Sequence, residues 1–114
     1  MSVKVFMLNL LGFGFLLISA ASLAQPSVDT IDSARQTELM HLLKQDCGSC
    51  HGLKLKGGLG PPLLVENLTG KPASFLAYTI LNGRPGTAMP PWKELLKPEE
   101  AEWLANVLLN GELK

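Results

Sequence analysis

The sequence predicts an all-α domain: three main helices and two irregular loops gathered around a body that is not polypeptide. Apolar residues recur at helical spacing in three stretches, each with recognisable ends. No segment alternates apolar and polar residues as a half-buried strand does. The loops between the helices are rich in Gly and Pro, yet too apolar to lie in water, and the chain is too short to bury them in a conventional core.

The first segment is expected to be removed. Lys4 gives a positive start, Val5 to Ile18 is apolar except at Asn9, and Ser22-Leu23-Ala24 offers small residues where a signal peptidase reads. A cleaved signal peptide is therefore expected over residues 1–24, with export to the periplasm and a domain over residues 25–114. The alternative is an uncleaved anchor. The apolar run of about 14 residues is short of the roughly 18 that span a bilayer, so no stable membrane anchor is expected after processing. A domain of roughly 90 residues is marginal without a disulfide, metal or embedded cofactor. Cys47 and Cys50 are the only cysteines, and the loop they would close is too small for a bridge to add much.

Ten basic and ten acidic residues leave no net charge. That balance argues against a nucleic-acid partner. The distribution is uneven. Lys44, Lys54, Lys56, Lys71, Arg84 and Lys93 stand against only Asp46 and Glu66 between them, while acids dominate both flanks.

The elements follow in order. Asp32 or Ser33 caps a first helix over 34–45, with Leu39, Leu42 and Leu43 on one face, running into Cys47. Residues 52–70 form a loop without a sustained period, and its leucines, from Leu53 to Leu68, need a surface to lie against. Pro72 opens a second helix over 73–81, which Asn82-Gly83 closes. A second loop covers 83–97. Pro98, Glu99 and Glu100 start the last helix, whose acids suit its positive end, and Trp103, Leu104, Val107 and Leu108 form its core stripe.

The strongest chemical signal is Cys47-Gly48-Ser49-Cys50-His51. Two cysteines at this spacing can form thioethers to the two vinyl carbons on one edge of a haem, and the next histidine is then held beneath the iron. A thioredoxin-like pair would need a βαβ setting that the pattern lacks. A zinc site needs four ligands, and His41 sits on the same helix as the motif, so a tetrahedral cage is hard to close. A structural disulfide is the third alternative. Haem fits best, because an export signal accompanies the motif and the loop leucines gain an apolar surface.

For the second axial position the candidates are Met89 and His41. Met89 lies 38 residues beyond His51, enough chain to reach the opposite haem face, and Pro90 and Pro91 stiffen its loop. His41 and Met40 precede the motif on its own helix and are poorly placed to cross the haem plane. Met89 could otherwise be a gap-filling loop residue. With His51 and Met89 as iron ligands, all six positions are filled, which favours outer-sphere electron transfer over chemistry at the metal. An enzyme or maturation factor would instead need a labile sixth site.

With these motifs the chain resembles class I cytochromes c over nearly all of residues 25–114: a helix entering C-x-x-C-H, the Gly60-Pro61 turn, a middle helix, a Met-Pro loop and a last helix. The resemblance implies that first and last helices cross beside one covalent haem c. It also implies that the carbonyl of Pro61 accepts the His51 Nδ1–H. The stretches C-G-S-C-H-G-L-K-L-K-G-G-L-G-P-P-L and I-L-N-G-R-P-G-T-A-M-P-P-W are similar to the cytochrome c55X family of denitrifying bacteria, encoded beside haem-d1-type nitrite reductase. That similarity implies nitrite reductase, or the maturation of its haem d1, as the partner system. Trp92 either gives its indole N–H to a haem propionate or fills core. Arg84 either pairs with a propionate or stays in solvent. The basic excess between Lys44 and Lys93 would steer the protein to an acidic face.

Overall fold

The computed structural model describes residues 30–113, and every described regular element is helical. The expected signal peptide, residues 1–24, lies outside the described residues. Helix α1 is Ser33–Leu42. Asp32, in extended conformation, begins it, and its Oδ1 accepts the Arg35 N–H at 2.9 Å. The helical run then passes without a break through a π-helical turn, Leu43–Cys47, into α2, Gly48–His51. The first helix therefore extends through the whole C-x-x-C-H motif, past the expected end at Gln45.

The loop after His51 folds back onto that helix end. Gly57 N–H donates to the His51 carbonyl at 2.8 Å, and Gly60 N–H donates to the Cys50 carbonyl at 2.9 Å. These bonds satisfy carbonyls that a helix C-terminus leaves without partners. One short helix, α3 (Val65–Leu68), interrupts the expected loop. Its four residues are too few to show a period in the sequence.

Helix α4 is Ala73–Asn82 and α5 is Pro98–Asn110. Pro72 stands just before α4, where its carbonyl accepts Phe75 N–H at 3.0 Å. Pro98 takes the first turn of α5, where a missing N–H costs nothing. Gly111, in the left-handed region, ends α5.

Leu39 and Leu43 from the first helical run, Leu76 and Ala77 from α4, and Ala101, Leu104, Ala105, Val107 and Leu108 from α5 form one buried cluster. Of the stripe read in the last helix, only Trp103 stays partly exposed. Glu100 ties the ends of the fold together. Its side chain, 7% exposed, accepts Arg35 Nε–H at 2.7 Å and Nη2–H at 3.2 Å. It also accepts the Lys97 N–H at 2.8 Å. These bonds clasp α1 to α5, and they hold the Glu100 carboxyl below its ordinary range.

Candidate functional site

Between α4, α5, the motif helix and both loops lies a cavity of about 630 Å³. That size suits a cofactor-sized ligand, for which sites run from about 300 to 1,000 Å³. Its back is core: Leu43, Leu68, Leu76, Leu104 and Leu108 all reach it. One wall carries Cys47, Cys50 and His51, and the second loop brings Met89 to the same space. The four residues singled out in the sequence thus meet at one cavity. His41 is exposed and does not line it.

A π turn carries the first of these residues. Leu43 opens the turn and Cys47 closes it, and both line the cavity. Both cysteines are free and half-buried. Burial first, then the Asp46 carboxylate, pushes a free thiol at Cys47 up to about 11.

His51 is fixed twice. Its Nδ1–H donates to the Pro61 carbonyl at 2.7 Å, as the family resemblance implies. A carbonyl can only accept, so Nδ1 carries a proton, and in the neutral imidazole Nε2 is then the nitrogen that keeps its lone pair. Gly60 holds the ring from below. A Cβ at Gly60 would lie 2.7 Å from His51 Cε1 and 2.8 Å from Nδ1, so only glycine fits there.

Met89 is held by backbone. Its carbonyl accepts the Arg84 N–H at 3.2 Å, and its N–H donates to Thr87 Oγ1 at 3.3 Å. Gly83, at φ +66°, lets the chain double back; a Cβ there would lie 2.6 Å from the Met89 carbonyl oxygen. Trp92 N–H bonds the end of α4 through the Leu81 carbonyl at 3.1 Å, and its side chain, partly buried, reaches the cavity.

The loop leucines divide. Leu59, Leu63 and Leu68 line the cavity, Leu55 joins the polypeptide core, and Leu53 stays in solvent at 70% exposure. The expectation that the whole run from Leu53 to Leu68 covers one surface is therefore too broad. Leu59 and Phe75 line the cavity while remaining exposed, so they stand at its mouth. Lys71 and Arg84 are the cationic side chains that reach it, and Asp46 is the acidic one.

The cavity fits a haem. It is broad and mainly apolar, it presents an imidazole with a free Nε2, and a thioether comes from a separate segment. Among the described residues no group of three His, Cys, Asp or Glu side chains is arranged to hold a metal ion by itself, so the zinc alternative lacks its ligand cage. Fold and cavity together define a c-type cytochrome, an electron-transfer protein with haem c as its cofactor.

The sequence profile described as "Cytochrome C oxidase, cbb3-type, subunit III" matches residues 34–106. Cytochrome c55X of Pseudomonas aeruginosa is 57% identical over 82 residues, which cover 72% of this chain and 69% of that one. Cytochrome c55X of Stutzerimonas stutzeri is 50% identical over 97 residues, covering 85% and 81%. Among solved structures, a c-type cytochrome NirC superposes with a TM-score of 0.70 at 57% identity, covering 72% of this chain and 96% of that chain. The chain belongs to the cytochrome c55X family. A further match is shorter: dihydro-heme d1 dehydrogenase of Pseudomonas aeruginosa is 44% identical over 48 residues, which are 42% of this chain and 10% of that protein.

Sequence reading did not find the Thr87 bond, the contact of Gly60 with the imidazole or the Arg35–Glu100 clasp. Only the clasp left a partial sign, an acid in the first turn of the last helix.

Proposed function

We propose that this chain is a periplasmic electron donor to a haem-d1-type nitrite reductase. In this reading residues 1–24 are a signal peptide removed on export, and Cys47 and Cys50 hold the haem through thioethers. His51 and Met89 are the axial iron ligands. The observation that supports it is the meeting of all four residues at one apolar cavity. When bound, the haem supplies a reversible one-electron couple.

The chain's own residues do the rest. Pro61 fixes the imidazole tautomer and strengthens Nε2 as a donor. Met89 would offer the iron a thioether, which favours the reduced state relative to a second nitrogen. The leucines of the back wall exclude water. Exposed Leu59 and Phe75 leave an apolar rim at the mouth, and Lys71 and Arg84 set a positive field there that draws an acidic partner face.

A second reading is a role in assembling haem d1. The short match to dihydro-heme d1 dehydrogenase favours it, because part of that larger protein resembles this chain. One experiment separates the two. The purified, reduced protein is mixed rapidly with haem-d1-type nitrite reductase, with a dihydro-haem d1 dehydrogenase and with unrelated oxidants. Fastest oxidation by nitrite reductase, slowing as salt rises, supports the donor reading. Selective exchange with the dehydrogenase supports the assembly role. Equal rates with all acceptors would remove both. Sequencing of the exported protein is expected to begin at Gln25.

A further inference from the structure

The segment from Arg84 to Ala88 is exposed throughout, as is Pro90. Arg84, Thr87, Ala88 and Pro90 all border the cavity, so part of their exposure faces the space a haem would take, and the loop's own hydrogen bonds set the course of its backbone at Met89. Three of these meet at Thr87. Its Oγ1–H donates to the Arg84 carbonyl at 2.6 Å, its N–H donates to the same carbonyl at 3.0 Å, and its Oγ1 accepts the Met89 N–H at 3.3 Å. The hydroxyl spends its one hydrogen on the start of the loop and a lone pair on the residue that faces the cavity. It is the only side chain that bonds both ends of this turn among the described residues. Pro90 restricts Met89 to extended backbone from the other side but offers no N–H.

We propose that the Thr87 hydroxyl is a positioning group for Met89, holding its thioether in place against competing ligands. This rests on Met89 being the axial ligand proposed above. When the thioether leaves the iron, the loop must move, and the bonds through Thr87 oppose that movement. Losing a net bond of this kind changes an equilibrium by roughly two- to tenfold.

The test uses the haem-loaded, oxidised protein. Imidazole is titrated in while the near-infrared sulfur-to-iron absorption is followed, for the native chain, Thr87→Val, Thr87→Ser and Met89→Ala. Thr87→Val keeps the side-chain shape and removes the hydroxyl. It is expected to bind imidazole roughly two- to tenfold tighter, by loss of the bond estimated above. Its thermal midpoint with imidazole already bound should match the native one, which a general loosening of the fold would not give. Thr87→Ser is expected to restore native affinity. Native affinity in Thr87→Val, or equal gains in the Val and Ser variants, would overturn the proposal. If the native protein lacks the band, the ligand assignment fails and the positioning role with it. If the native protein shows the band, Met89→Ala loses it and Thr87→Val binds imidazole as the native chain does, the positioning role alone fails.

Discussion

His51 and Met89 face one cavity from supports of different kinds. His51 ends an unbroken helical run, its ring bonded to the Pro61 carbonyl at 2.7 Å and pressed by Gly60. Met89 sits in an exposed loop held by two hydrogen bonds of 3.2 and 3.3 Å and a following proline. The first support is part of the packed fold, and the second is a local strap. With the proposed ligands, the histidine would stay in place wherever the fold survives, while the methionine would respond to small changes in one loop.

The largest expected effects come from removing the proposed ligands themselves. His51→Ala should leave little stable coloured protein, because the helix end then presents no donor under the haem. Met89→Ala should retain the haem and the far-ultraviolet helicity, and its reduced form should bind carbon monoxide rapidly. Similar losses of haem in both variants would erase the contrast between the walls.

Next come the two glycines. Gly60→Ala drives a methyl into the imidazole and should cost about 3 kcal/mol in chemical denaturation, the upper end for overpacking. Gly83→Ala meets the backbone of Met89, Pro90 and Pro91 and adds strain at positive φ at a buried position, so about 3 kcal/mol is expected there too. Gly83→Ala should also weaken the sulfur-to-iron band, whereas Gly60→Ala should not do so in the fraction that folds.

A smaller effect isolates the helical support. Glu100→Gln keeps the shape but loses the charged bonds to Arg35, at about 1 kcal/mol, since Arg35 is partly in solvent and screened. Imidazole affinity should be unchanged, as the clasp does not touch the Met89 loop. Because the folded carboxyl ionises below its ordinary value of 4.5, its contribution is complete above that pH and fades as pH falls through the lower folded value. The native chain should therefore lose its advantage over Glu100→Gln only in acid, which thermal melts between neutral pH and pH of about 3 will show. Smallest is Lys71→Gln at the cavity mouth. It should slow electron exchange with an acidic partner at low salt and leave stability alone.

The legible parts of the molecule are those with a period or a cap. Asp32, Pro98 and Gly111 mark helix ends by chemistry that acts within a turn, so these boundaries are visible in the sequence. Cys47, Cys50, His51 and Met89 were visible because their residue types and spacing suit one cofactor. The π turn was hidden, since one extra residue in a helix leaves the local composition unchanged. The helix Val65–Leu68 was too short to repeat, and the fates of Leu53, Leu55 and Leu59 depend on how the loop folds back on Cys50 and His51. Thr87 was hidden for a different reason: a lone threonine in a Gly-Pro loop has no pattern, and its role exists only through the turn that brings Arg84 and Met89 within reach of one hydroxyl.

The most direct test is the mass of the exported protein under denaturing conditions. One haem should stay on each chain after unfolding, and on the tryptic peptide running from Gln45 to Lys54, with Cys47→Ser/Cys50→Ser losing it. A haem that dissociates from the unfolded native chain, or that remains on the doubly substituted one, would contradict it.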